Sequence, residues 1–334
     1  MRSMKNSYLR YIAVALVIVF LISAAFLILD VWEGKQGKFP EASTQDGVVT
    51  YKNQDYTYKD DIETFLLLGL DKFDGAETAD SHDSGVQTDF LMLFVFDNEK
   101  KQSTAIQINR DTMTNVNRLS VGGATVVESY IEQIALAYNY ANAENDKIRC
   151  RNTKDSVEYL LKDINVDHYL ALTMDAVPVS CDLVGGVEVT VLDDFTSVDA
   201  AMAEGEKITL TGEQAFRYVR TRQGLEDSTN TARMARQQQY LDALYDKFKA
   251  CINADEGFAV RFADAINEYI VYDSSDQKMM QFAEKFDDYE FLGIKEIKGQ
   301  TKRGEEFVEF YPDEESVWDI VIDLFYQPKT DEVK

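Results

Sequence analysis

FLLLGLD at 65–71 and QTDFLML at 87–93 decide how this chain folds. Each joins a short unbroken apolar run to an aspartate at its edge, Asp71 after the first run and Asp89 before the second. A run of this length, bounded by Gly or Asp, reads as a strand buried on both faces. The segments 65–70 and 90–96 are therefore expected as central strands of an α/β sheet. QSTAIQIN at 102–109 alternates more and is expected nearer an edge or half covered. Strands are also expected at 168–173 and 187–191, with Gly185 and Gly186 marking the turn into the second.

Helical spacing predicts helices over 131–143, 153–164, 174–183, 212–219, 230–250 and 257–269, with Thr153 as the cap of the second. Strands alternating with helices predict one α/β domain around a sheet covered on both faces. The stretch 276–327 reads as helix–strand–helix in the same domain. The organisation expected is a cytoplasmic tail at 1–10, a transmembrane helix at 11–29, a polar stalk or lead-in at 30–60, the folded domain at 61–327 and a tail at 328–334.

The membrane segment is YIAVALVIVFLISAAFLIL at 11–29, uncharged and long enough to span a bilayer. Arg2, Lys5 and Arg10 precede it, while Asp30 and Glu33 follow. Cations stay on the cytoplasmic side, so the N-terminus is expected inside and the rest outside. The full chain of 334 residues carries a net charge of -25, and those three cations leave the remainder at -28. Such an acidic surface excludes nucleic acid as a partner, because phosphate affinity there needs clustered cations. Two His and three widely spaced Cys give no metal-binding motif, and the odd Cys count leaves at least one thiol unpaired.

Against that acidity, Arg217, Arg220, Arg222, Arg233 and Arg236 lie within 20 residues, five of the 13 Arg in the chain. Arginine without lysine suits planar recognition of phosphate or carboxylate. Arg233 and Gln237 share one face of the predicted long helix, whose N-terminus favours an anion. Asp71 and Asp89, at the ends of neighbouring strands, are the expected Mg²⁺ ligands beside a phosphate. Arg110 and Asp111 stand at the end of a third strand.

In order along the chain, FLLLGLD, QTDFLML, INRDTM, ALAYNYAN, GEQAFRYVRTR and RMARQQQYLDAL resemble the motifs of the LytR-CpsA-Psr (LCP) family of cell-wall enzymes. The resemblance covers 61–250 clearly and 251–327 more faintly. It implies an α-β-α layered, single extracytoplasmic domain with a central mixed sheet, preceded by one transmembrane helix. It implies a phosphotransferase that moves a glycopolymer-phosphate from a polyprenyl pyrophosphate carrier onto peptidoglycan at the cell membrane, with Mg²⁺ as cofactor. Carried over residue by residue, Asp71 and Asp89 are the metal ligands. Arg110, Arg220, Arg222, Arg233, Arg236 and Gln237 hold the pyrophosphate, and Arg110, Asp111, Arg220 and Arg222 are catalytic. Two positions depart from the family pattern: Gln87 stands where Arg is usual, and Asn230 where Asp is usual. They motivate one alternative, a non-catalytic polyprenyl-phosphate-binding regulator or scaffold; another is a lipid pyrophosphatase, with water replacing the sugar.

Overall fold

The computed structural model describes residues 43–45, 47–72, 86–141, 145–221, 230–255, 257–304 and 307–329. The expected cytoplasmic tail and transmembrane helix at 1–29 lie outside these residues. Among the described residues no helix is long and apolar enough to cross a membrane.

In chain order the strands and helices begin with β1 (Ser43–Gln45), β2 (Val48–Tyr51), β3 (Gln54–Tyr58), β4 (Ile62–Leu70), β5 (Thr88–Asp97), β6 (Gln102–Ile108), β7 (Met113–Leu119) and β8 (Val126–Gln133). Then come α1 (Ala137–Tyr140), α2 (Asp146–Leu160), β9 (His168–Thr173), α3 (Ala176–Leu183), β10 (Val187–Thr190), β11 (Lys207–Leu210), α4 (Gly212–Arg220), α5 (Asn230–Ala254) and α6 (Phe258–Ile266). The chain finishes with β12 (Ile270–Tyr272), α7 (Asp276–Asp288), β13 (Glu290–Glu296), β14 (Gly299–Arg303), β15 (Val308–Pro312), α8 (Glu314–Phe325) and β16 (Tyr326–Pro328).

Among the described residues the central sheet has the order β12-β9-β4-β5-β6-β13. It is mixed: β9 with β4 and β6 with β13 are parallel, and the other pairs are antiparallel. The period of two along β4 and β5 builds two cores at once. Leu66, Leu68, Leu70, Leu91 and Leu93 meet Cys150, Val157 and Leu160 of α2 and Val317, Val321 and Phe325 of α8. Phe65, Leu67, Met92, Phe94 and Phe96 meet Met279, Phe282 and Phe286 of α7. A third core joins α3, α4, α5 and α6 to the β10–β11 hairpin. Gly186 permits that hairpin: its φ is +89°, and a Cβ there would lie 2.6 Å from Thr209 Cγ2.

The central strands stand where expected, but several boundaries differ. The segment 102–109 does lie nearer an edge, since β6 is second from the end between β5 and β13, but it is not half covered: Ser103, Thr104, Ala105, Ile106 and Ile108 are buried. The parallel strand β13 covers it. The helix expected over 131–143 is strand up to Gln133, because β8 pairs with β7 along its whole length, and helix follows only from 134. The next helix starts at Asp146, capped by the Asn145 side chain, which accepts from Lys147 N. Thr153 is not a cap; it is buried inside α2 and returns its hydroxyl to Arg149 O at 3.3 Å. That helix ends at Leu160, followed by positive φ at Lys162 and Asp163.

The expected stalk is already folded by residue 43, where β1, β2 and β3 form a meander that pairs with β16. Its Val49 and Tyr51 pack on Ile322 of α8. The C-terminal part is richer than helix–strand–helix, since the β14–β15 hairpin interrupts it.

Cys150 and Cys181 are buried and Cys251 is half-buried, all as free thiols. Burial pushes the Cys181 thiol up to about 11, and it moves Cys150 in the same direction. A raised pKa leaves little thiolate at pH 8, so native alkylation should label Cys251 alone of the three. Mass spectrometry of iodoacetamide-treated protein checks this; Cys150 and Cys181 should react only in denaturant.

Candidate functional site

Three strand ends and two helices meet at one place. β4 delivers Asp71, whose N–H donates to Gln87 O at 2.8 Å. The carbonyls on either side of it, Leu70 O and Lys72 O, both accept from Met174 N, at 3.2 and 3.1 Å. The backbone around Asp71 is thus clamped between the segments that enter β5 and leave β9. Its carboxylate accepts from Arg220, with Nε to Oδ1 at 3.1 Å and Nη2 to Oδ2 at 3.5 Å.

Asp89 owes its position to a bulge. Gly69 pairs with Phe90 and Leu70 with Thr88, so Asp89 is one extra residue in β5. Bulges of this kind re-aim a side chain beside a site. Gly69 is needed opposite, since a Cβ there would lie 2.9 Å from Phe90 Cβ. Asp89 Oδ1 accepts from Arg110 Nη1, and Oδ2 accepts from Arg233 Nη1 at 3.1 Å.

Arg110 is fixed by a tight turn after β6, in which Asn109 Oδ1 accepts from Asp111 N at 2.9 Å and Asn109 O accepts from Thr112 N at 3.0 Å. Its Nη2 donates to Gln87 Oε1, and its Nε lies 3.5 Å from Asp111 Oδ1. Asp111 also accepts from Gln133 Nε2 at 3.2 Å. Arg233 lies in the first turn of α5, with its side chain only 5% exposed.

The structure therefore brings together Asp71, Asp89, Arg110, Asp111, Arg220 and Arg233. Arg236 does not join them. It is fully buried and spends its donors on Tyr218 O at 3.0 Å, on Thr221 O and on Asp193. Gln237 donates to Val219 O at 3.0 Å. Both side chains staple the end of α4 to α5, and so set where Arg220 stands. Arg217 is half exposed and pairs with Glu213 at 2.7 Å. Arg222 lies outside the described residues.

Sequence reading missed the partners. Gln87 works as an acceptor for Arg110, a role that its amide type does not announce. Lys72, directly after Asp71, pairs with Asp146 at 3.1 Å, and Asp146 also accepts from the Tyr138 hydroxyl at 2.7 Å. Burial pushes the Asp146 carboxyl up, but the Tyr138 and Lys72 bonds outweigh it and hold the group below its ordinary range.

Chemically, three guanidiniums are preorganised by aspartates in contacts of the kind that phosphate oxygens also make. Among the described residues no group of three or more His, Cys, Asp or Glu gathers to cage a metal. Two carboxylates beside three guanidiniums fit Mg²⁺ only as an ion that shares phosphate oxygens and water.

A family model described as the LytR_cpsA_psr family matches residues 34–321, and the chain belongs to this family. Over 182 residues it is 29% identical to the polyisoprenyl-teichoic acid–peptidoglycan teichoic acid transferase TagU of Halalkalibacterium halodurans, covering 54% of this chain and 51% of that protein. It is 28% identical over 189 residues to TagU of Bacillus cereus, covering 57% and 54%. The chain thus spans about half the length of the curated relatives it matches. The crystal structure of B. subtilis TagT shares the fold, with a TM-score of 0.52 and 19% identity over 79% of this chain and 90% of that one.

Arg236→Ala should destabilise the protein by about 3 kcal/mol, because it strands Asp193 and two carbonyls in the interior. Arg220→Ala, whose pair with Asp71 is part-exposed, should cost roughly 1 kcal/mol or less. Denaturant unfolding of the two variants measures the difference.

Proposed function

We propose that this LytR-CpsA-Psr chain moves a glycopolymer-phosphate from a polyprenyl pyrophosphate carrier onto peptidoglycan in cell-wall assembly. The observation that carries the reading is Asp89 shared between Arg110 and Arg233, with Arg220 held beside them by Asp71. The TagU relatives, named for transfer of teichoic acid to peptidoglycan, support the same class of reaction. In this reading the apolar run at 11–29 anchors the domain on the outer face of the membrane that contains the carrier.

Arg110, Arg220 and Arg233 bind the pyrophosphate and stabilise charge on the transferring phosphoryl group. Asp111 orients Arg110, and Arg222 is carried over from the family resemblance as a further pyrophosphate ligand. A peptidoglycan hydroxyl attacks the phosphorus and loses its proton, the anhydride P–O bond breaks, and polyprenyl phosphate leaves. Phosphoryl transfer depends mainly on positioning and electrostatics, so no covalent nucleophile is required. Asp71 and Asp89 would hold Mg²⁺ together with phosphate oxygens, and the bound ion would neutralise part of the pyrophosphate charge.

Gln87 favours a second reading, a non-catalytic binder of polyprenyl phosphates, because a neutral amide meets Arg110 where the family usually carries Arg. One assay separates the readings: full-length protein, lipid-pyrophosphate glycan, Mg²⁺ and peptidoglycan. Transfer is expected, and Arg110→Ala or Asp89→Asn should lower it about a hundredfold or more. Lipid binding without transfer overturns it in favour of the binder. Phosphate release without peptidoglycan identifies a pyrophosphatase instead.

A further inference from the structure

The turn that carries Arg110 is held from two sides. The end of β8 grips one: Ile134 N donates to Thr112 O at 2.8 Å and Ala135 N to Arg110 O at 3.1 Å. β15 grips the other, with Phe310 N donating to Asp111 O at 2.8 Å. All three carbonyls of residues 110–112 are therefore bonded, and the backbone of the turn is fixed. What remains adjustable is the Asp111 side chain.

The residue just before Ile134 reaches that side chain. Gln133 is only 5% exposed, and its Nε2 donates to Asp111 Oδ1 at 3.2 Å and to Val308 O at 2.6 Å. Both partners are acceptors only, so the amide must turn its NH₂ toward them, one hydrogen to each. An aliphatic side chain of the same length would fill the space and leave a carboxylate and a carbonyl unanswered.

Asp111 matters because of what it does for Arg110. Arg110 Nη1 and Nη2 face Asp89 and Gln87. These are the donors for which an arriving phosphate competes. Arg110 Nε is buried and makes no hydrogen bond among the described residues; the Asp111 carboxylate lies 3.5 Å from it. A pyrophosphate that recruits the two Nη groups leaves Asp111 as the hold on the other side of the guanidinium.

We propose that Gln133 is a positioning residue for Arg110, acting through Asp111. It pins the Asp111 carboxylate at a distance from which it orients Arg110 Nε without displacing the two Nη groups from the site. Its second bond, to Val308 O, fixes the amide itself to β15. Gln133 touches no reacting atom in this scheme. Its use in pyrophosphate binding rests on the role proposed above for Arg110; the clamp itself rests on the hydrogen bonds.

The test uses full-length protein in detergent with Mg²⁺ and compares Gln133→Met, Asp111→Ala, their double variant and Arg110→Ala. Two quantities are read: affinity for farnesyl pyrophosphate, and solvent exchange of the Arg110 Nε–H by nitrogen-15 NMR, its signal identified as the one that Arg110→Lys removes. Gln133→Met should weaken affinity roughly tenfold and speed the Nε–H exchange about tenfold, while the unfolding midpoint falls by only about 2–4 °C. In the Asp111→Ala background the same substitution should cost no further affinity, because a residue that acts through another has nothing left to position. Losses that add in the double variant, or an Nε–H exchange unchanged by Gln133→Met, overturn the proposal. If the exchange rises as expected but Arg110→Ala leaves farnesyl pyrophosphate affinity intact, the pyrophosphate role of Arg110 falls and the positioning stands.

Discussion

Asp89 satisfies two guanidiniums that reach it from different parts of the fold, Arg110 from the turn after β6 and Arg233 from the first turn of α5. A guanidinium as buried as that of Arg233 stays charged and is costly to leave unpaired, and the Asp89 carboxylate between two cations answers it. The sheet and the long helix are therefore registered to each other by charge as well as by packing. The bulge in β5 makes this possible: one extra residue turns a carboxylate toward the cations while the apolar alternation on either side of it is kept.

The arginines between 217 and 236 divide into separate tasks. Arg220 and Arg233 face aspartates at the strand ends, Asp71 and Asp89. Arg236 is spent inside the protein, on backbone carbonyls of the α4 terminus and on Asp193. Its charge contributes to the site only by holding Arg220 in place. Density of one residue type along a chain thus combines the cluster at the strand ends with a brace beneath it, because a helix end needs its own exposed carbonyls answered.

Much of this was legible in the chain. FLLLGL and FLMLFVF read as strands buried on both faces and are β4 and β5, and the aspartates at their edges meet the arginines at one end of the sheet. Less legible were elements with weak apolar signals. β8 places Val126, Val127, Tyr130 and Ile131 in solvent, so its spacing imitates a helix while its pairing with β7 makes it a strand. The β14–β15 hairpin is polar along one strand and gave no period to read. Arg236 could not be told from Arg233 by type or spacing, and both are buried; their partners separate them, backbone carbonyls and Asp193 for Arg236 and Asp89 for Arg233. The bulge at Asp89 is a register property of two strands, which no single strand displays.

The pairing of β16 with β3 has a consequence in time. Tyr56–Tyr58 bond to residues 326–328, and Tyr51 reaches Asp319 across 268 positions of the chain. Contacts so distant in sequence are made only after a large loss of chain entropy. The meander draws its apolar support from α8 and its outer edge from the last strand. During synthesis β1, β2 and β3 therefore wait for α8 and β16, and the meander becomes ordered only once residues 314–328 have been made.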